Sequence, residues 1–86
     1  MTNDDQPTLR LKTLREAELI VNVSEVLPGG LHDWPQKIQD RIHKAVEKLE
    51  ERTGVRWTVV ASRSDTDPDT GPFLHVVAVT SQQEMF

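Results

Sequence analysis

The densest group of chemically competent side chains in this 86-residue sequence is an acidic segment at residues 65–71, DTDPDTG. Calcium-binding loops place oxygen ligands at alternate positions, as the aspartates of this segment do. An EF-hand loop also needs a glycine at its sixth position and a bidentate glutamate at its twelfth, where this chain has Thr70 and Val76. We therefore interpret the segment as a solvated turn that uses Asp and Pro for turn geometry, with weak calcium binding as the alternative.

Three histidines could take part in acid–base chemistry, but none has a partner at a recognised catalytic spacing. His32 precedes the predicted helix, and His43 lies beside the apolar stripe of that helix, where we expect it to face solvent. His75 stands among Phe73, Val77 and Val79, which favours a packed, hydrogen-bonded or interface residue that could sense pH. The alternative is a small enzyme, in which a pocket at a subunit interface brings acidic groups of a neighbour to His75.

Other catalytic and cofactor motifs are missing from the sequence. The chain has no Cys and therefore no disulfide, no thiolate nucleophile and no Cys-based zinc site. The segment LPGGL at residues 27–31 lacks the Lys and Ser/Thr of a phosphate-binding loop, and no Ser has the surroundings of a known nucleophile. The sequence predicts no catalytic, cofactor-binding or metal-binding residue, and no cofactor.

The charge and the hydropathy of the sequence limit the kinds of partner that we expect. Ten Lys and Arg against 14 Asp and Glu give a net charge of −4, whereas nucleic acids and anionic membranes select basic surfaces. We expect neither as a partner. A mean hydropathy of −0.50 without a long apolar run excludes a transmembrane helix. No basic and then apolar leader opens the chain, so we expect a cytoplasmic protein.

The most strongly patterned element is a helix predicted over residues 33–53. Its apolar residues recur every three or four positions and form one stripe, on an otherwise charged surface. Asp33 and Gln36 fit a capping box at its start, with Pro35 in the first turn, where the missing N–H costs nothing. Gly54 is expected to end the helix in the left-handed conformation.

Alternating and β-branched residues predict strands on both sides of this helix. Residues 8–15 alternate weakly and favour a short edge strand, and residues 18–24 form the first clear strand. After the helix, residues 55–62 place Trp57, Val59 and Ala61 on one face, opposite Arg56, Thr58, Val60 and Ser62 on the other. Residues 73–80 are apolar on both faces, and a ten-residue polar loop, 63–72, is expected between these two strands.

The length and the order of elements predict one α+β domain over residues 8–81, between a disordered tail at 1–7 and a frayed tail at 82–86. The architecture is a two-layer (β)βαββ arrangement, with one amphipathic helix on a small and mainly antiparallel sheet. The expected core combines the helical stripe with one face of the strand after Gly54, namely Trp34, Ile38, Ile42, Val46, Leu49, Trp57 and Val59.

One helix covers only one face of such a sheet, so the other face needs a different cover. An exposed apolar patch of this kind marks a contact surface, and two-fold dimers are the commonest oligomers. We expect a small non-catalytic oligomerisation or protein-binding module, such as an adaptor, an inhibitor or an assembly subunit, which forms a homodimer or binds another protein. The predicted protein interface consists of Thr58, Val60, His75, Val77 and Val79.

Overall fold

The computed structural model describes residues 8–80, and the tails predicted at residues 1–7 and 82–86 lie outside the described residues. Four strands and one α-helix follow each other as predicted, so the α+β class is confirmed. No helix in the described part of the chain is long and apolar enough to cross a membrane. The elements are β1 (Thr8–Leu11), β2 (Glu16–Asn22), a short 3₁₀ helix (Leu31–Asp33), α1 (Gln36–Thr53), β3 (Trp57–Asp67) and β4 (Gly71–Thr80).

The four strands form one sheet in the order β1-β2-β4-β3, and every neighbouring pair is antiparallel. Since β2 and β3 are both antiparallel to β4, they run parallel to each other with β4 between them. The helix α1 connects β2 to β3 and packs on one face of this sheet. We call this face the helix face and the opposite one the open face.

The hydrophobic core lies between α1 and the helix face. Side chains of a strand alternate between the two faces, so every second residue of β2 and β4 contributes to this core. Ile42 and Leu49 of α1 are at most 1% exposed. The buried strand residues are Ala17, Leu19 and Val21 of β2, Leu74, Val76 and Ala78 of β4, and Trp57 of β3. Of the predicted core, Trp34, Ile42, Leu49 and Trp57 are buried, and Ile38, Val46 and Val59 are half-buried.

The start of α1 differs from the prediction, because the helix begins at Gln36 and Pro35 is its N-cap. The residue before a proline is disfavoured in the helical conformation, and Trp34 is extended, with a ψ of 157°. The carboxylate of Asp33 accepts a hydrogen bond from the Gly30 N–H at 3.1 Å. The predicted capping box is therefore wrong, and Asp33 stabilises the turn that precedes the helix.

The end of α1 is as predicted and is tied to the start of β3. Gly54 has a φ of 76° and donates its N–H to the Glu50 carbonyl at 2.8 Å. The Trp57 indole N–H donates to Thr53 Oγ1 at 2.9 Å, and the Trp57 backbone N–H donates to Glu50 Oε2 at 3.1 Å. These bonds connect the last turn of the helix to the first residue of β3.

The long loop predicted over residues 63–72 is wrong, because both strands extend into it. Residues 63–67 belong to β3, and β4 begins at Gly71, so only residues 68–70 form the turn. The Asp67 carboxylate accepts hydrogen bonds from the N–H groups of Asp69 and Thr70 at 2.7 and 3.2 Å. This local turn closes the hairpin, with Gly71 in the left-handed region at a φ of 87°.

A β-bulge interrupts the alternation of β3. Val59 lies opposite Ala78 and Ala61 lies opposite Val77, which leaves Val60 as an extra residue without a partner on β4. The faces predicted for Ala61 and Ser62 are therefore exchanged. Ala61 shares the open face with its partner Val77, and Ser62 lies on the helix face, where its hydroxyl accepts the Leu31 N–H at 2.8 Å.

Candidate functional site

The open face brings together most of the residues predicted to form an interface. Register places Thr58 of β3 opposite Val79 of β4, and Val77 and His75 follow on the same face of β4. Val60 is the exception, because it is the extra residue of the bulge and has no register partner. The open-face residues of β2 are Glu16, Glu18, Ile20 and Asn22, those of β4 are Phe73, His75, Val77 and Val79, and those of β3 are Thr58, Ala61, Arg63 and Asp65.

The centre of this face is apolar and half-buried. Val77 lies between Glu18 of β2 and Ala61 of β3, and Val79 follows one row away. Ile20 lies beside His75 in the same row, and Phe73 extends the apolar surface on the other side of His75. We define the open-face patch as Ile20, Phe73, Val77 and Val79. Each of these side chains is half-buried, so the patch keeps apolar surface for a contact.

The polar group nearest the middle of the patch is a pair formed by His75 and Glu18. His75 Nε2 lies 2.6 Å from Glu18 Oε1, and the two side chains are 21% and 12% exposed. The pairing is diagonal, because the residue directly opposite His75 is Ile20. The hydrogen bond from His75 is the largest influence on the pKa of Glu18 and lowers it, burial opposes the effect, and the charges of Lys12 and Arg10 also lower it.

This pair gives the imidazole a fixed orientation. A neutral imidazole donates one N–H to the carboxylate, and a protonated imidazole adds an opposite charge to the same contact. The sequence predicted His75 as a packed, hydrogen-bonded or interface residue, and only the enzymatic alternative drew acidic groups from a neighbouring subunit. The carboxylate beside His75 is that of Glu18 in the same chain. Carboxylate-oriented histidines serve as bases in enzymes, yet His75 does not line the groove described below.

Charged side chains of opposite sign border the open face in local pairs. Arg63 Nη1 lies 3.0 Å from Asp65 Oδ2, and Lys12 Nζ lies 3.6 Å from Glu16 Oε2. Arg10 Nε is 3.8 Å from Glu18 Oε2. The backbone N–H of Thr66, followed by Arg63, lowers the pKa of Asp65. Each carboxylate of this border thus has a cation beside it, and the open face has no strong charge of one sign.

The acidic segment 65–71 comprises the end of β3, the three-residue turn and the first residue of β4. Asp65 pairs with Arg63, and Asp67 accepts hydrogen bonds from the backbone of the turn that follows it. Within residues 8–80, no group of three His, Cys, Asp or Glu side chains is arranged to hold a metal ion. The Asp65 carboxylate is thus held by an ion pair and the Asp67 carboxylate by the turn.

A groove between α1 and β3 was not predicted from the sequence. It has a volume of about 570 Å³ and is lined by Leu31, His32, His43, Val46, Glu47, Trp57, Val59, Val60, Ala61 and Ser62. Val60 is 58% exposed, which is high for a valine within a strand. A bulge is set by the pairing of two strands, so strict alternation along the sequence gives no signal for it.

Comparisons with protein-family models, with curated proteins and with solved structures find no match to this chain.

Proposed function

We propose that this chain is a small non-catalytic oligomerisation module in which two copies pack open face against open face. The observation that carries the proposal is the asymmetry of the sheet. The helix face is covered by α1, and the open face presents the open-face patch around Val77 and Val79 without any covering element among the described residues.

The charges around the patch favour a second copy over a partner of strong charge. Glu16, Glu18 and Asp65 are each neutralised by a basic side chain of the same chain. A face of one dominant sign would select a partner of the opposite sign, whereas a balanced face avoids repulsion when it meets itself. An apolar centre with a polar rim is also the usual anatomy of a protein interface.

Two-fold symmetry fits contact through a sheet face. In a two-fold dimer the same patch serves both subunits, so one self-complementary surface is sufficient. Two sheets that pack face to face lie about 10 Å apart, and their side chains interdigitate. The valines of β4 are short enough for such packing. Because Glu18 has His75 as a hydrogen-bond partner, its burial would not leave an unpaired charge.

A pair of matched variants tests the proposal. In the first variant, Val77→Asp, a carboxylate enters the open-face patch, where association would bury it without a partner. In the control, Val26→Asp, the same change is made at an exposed valine in the segment between β2 and α1. Light scattering at tens of micromolar should give a dimer mass for the control and a monomer mass for Val77→Asp. Circular dichroism should show the helix in both variants.

Two results would contradict the proposal. A monomer mass for the unmodified chain at these concentrations would remove the second copy as the cover of the open face. A dimer mass for Val77→Asp would place the interface on another surface of the molecule.

A further inference from the structure

The outer edge of β3 is a second unused surface, separate from the open face. With eleven residues, β3 is the longest strand, and the strand order puts it at the edge of the sheet. On its outer side, no strand of the described region pairs with it. The N–H and C=O groups of alternate residues therefore point away from β4. The N–H groups of Trp57 and Thr66 donate to the carboxylates of Glu50 and Asp65, and the groups between these two residues are available to another strand.

The groove runs beside the first half of this edge. The α1 wall of the groove includes Val46 and Glu47, and the β3 wall includes Val59 and Val60. A strand that pairs with the edge of β3 would direct every second side chain toward α1 and into this groove. Free backbone groups next to side-chain pockets are the two requirements for recognition by strand addition.

The bulge at Val60 has two opposite effects on the edge of β3. Bulges and charged residues protect edge strands from unspecific pairing, and β3 also carries Arg63 and Asp65 further along the chain. At the groove, however, the bulge leaves an apolar side chain exposed as part of the lining. An exposed valine does not protect the edge from pairing, and it favours contact with an apolar side chain of a ligand.

We propose that the β3 edge and the groove accept an extended segment of another polypeptide as a fifth strand. The segment carries apolar side chains at alternate positions, and these enter the groove between Val46 and Val60. It carries a Lys or Arg close to Glu47, because Glu47 is the only Asp, Glu, Lys or Arg among the lining residues. Backbone pairing supplies affinity, and the groove and Glu47 supply selectivity.

A second copy of β3 is a less suitable occupant. If two chains already pair through the open face, a second two-fold contact at β3 would link dimers without closure and produce a filament. A segment of a different polypeptide adds one strand to each chain and leaves the assembly closed. A module of this kind would present two equivalent strand-accepting edges.

The test uses a displayed library of random ten-residue peptides, which is selected on the full chain. Enriched sequences should alternate apolar and polar residues and contain a basic residue. Synthetic versions of them should shift the amide signals of residues 57–62 and of His43 and Val46 on α1. Methylation of the peptide backbone nitrogens that face β3 should abolish binding, because the methyl groups remove the ladder donors.

Three variants test whether the peptides bind in the groove. Val60→Asp should weaken binding by about tenfold or more, because a charge then occupies an apolar pocket. Val26→Asp should leave binding unchanged. Glu47→Lys should weaken binding of basic peptides by about 2- to 5-fold, the range of an exposed ion pair, and a new selection on this variant should enrich acidic residues.

The inference is wrong if selection enriches no sequence, if backbone methylation leaves binding intact, or if bound peptides shift Ile20 and Val77 on the open face. It is also wrong if the chain occupies its own edge, which cross-links between two β3 strands would reveal. The Val77→Asp variant separates this proposal from self-association. It should bind the peptides with unchanged affinity, whether or not the unmodified chain forms a dimer.

Discussion

The two faces of the sheet differ in almost every property, although they are made by the same strands. On the helix face, Leu19, Leu74 and Val76 are fully buried against α1, and no charged residue among residues 8–80 is buried. On the open face, half-buried valines lie beside the His75–Glu18 pair and a border of ion pairs. The helix face thus accounts for folding, whereas the open face has the composition of a contact surface.

Adjacent residues of β4 show the difference between the two faces, because their side chains point to opposite sides of the sheet. Val76 and Val77 are adjacent and chemically identical, yet Val76 is 0% exposed and Val77 is half-buried. A continuous apolar run in a strand indicates that both of its faces are covered. In this chain, α1 covers one of them. The comparison therefore predicts unequal costs for equal changes on the two faces.

The largest expected effect is on the helix face. Ile42→Ala removes a fully buried side chain between α1 and the sheet and should lower the free energy of unfolding by about 2–5 kcal/mol. The adjacent His43→Ala, at an exposed position, serves as the control and should cost less than about 0.5 kcal/mol. Urea unfolding measures both variants. If Ile42→Ala melts within a degree or two of the unmodified chain, the core is not where the structure places it.

Val76 and Val77 allow the most direct test of the difference between the two faces, because they are adjacent in the chain. Val76→Ala should cost about 2–3 kcal/mol, because two methyl groups leave a fully buried site. Val77→Ala should cost about 1 kcal/mol or less in the isolated domain, because its site is partly solvated already. Urea unfolding at concentrations at which the chain is monomeric measures this intrinsic cost. Equal costs at the two positions would contradict the difference between the faces.

A smaller effect is expected from the His75–Glu18 pair. The pKa of Glu18 is lowered in the folded chain, so the anion contributes stability above the ordinary pKa of 4.5, and this contribution is lost as the pH falls through the lowered value. Glu18→Gln should therefore reduce the loss of stability between about pH 6 and about pH 3. Glu51→Gln, at an exposed position on α1, is the matched control. An unchanged pH dependence in Glu18→Gln would show that the pair contributes nothing.

The smallest expected effect concerns the acidic segment, because Arg63 pairs with the Asp65 carboxylate and the turn uses that of Asp67. Millimolar calcium should produce no saturable shift in the amide signals of Asp65, Asp67 and Asp69. Magnesium at the same concentration is the control for unspecific screening by divalent ions. Saturation at micromolar calcium would show that the segment binds the ion and would contradict its interpretation as a turn.

Much of the fold could be predicted from the sequence, because local patterns determine it. The stripe that contains Ile42 and Leu49 indicates a helix with one buried face, and Gly54 marks its end through a conformation that glycine favours. The start of the helix could not be placed correctly, because Asp33 fits two hydrogen-bonding roles equally well. Only the extended backbone before Pro35 decides between them.

The candidate contact surfaces were less predictable, because they depend on pairing between strands. His75, Val77 and Val79 could be assigned to one face by alternation within β4 alone. The partner of His75 could not be identified, since Glu18 lies 57 residues away in the sequence. The groove beside β3 could not be predicted either. The bulge at Val60 depends on the register with β4, and the sequence of residues 57–62 gives no sign of it.

The central claim, that a second copy covers the open face, is tested most directly by contacts between two differently labelled chains. A sample that mixes isotope-labelled and unlabelled protein reports nuclear Overhauser effects between protomers only. We predict such effects among the side chains of the open-face patch, Ile20, Phe73, Val77 and Val79, with Val77 at their centre. Effects that join α1 or the β3 edge instead, or no effects between protomers at hundreds of micromolar, would contradict the claim.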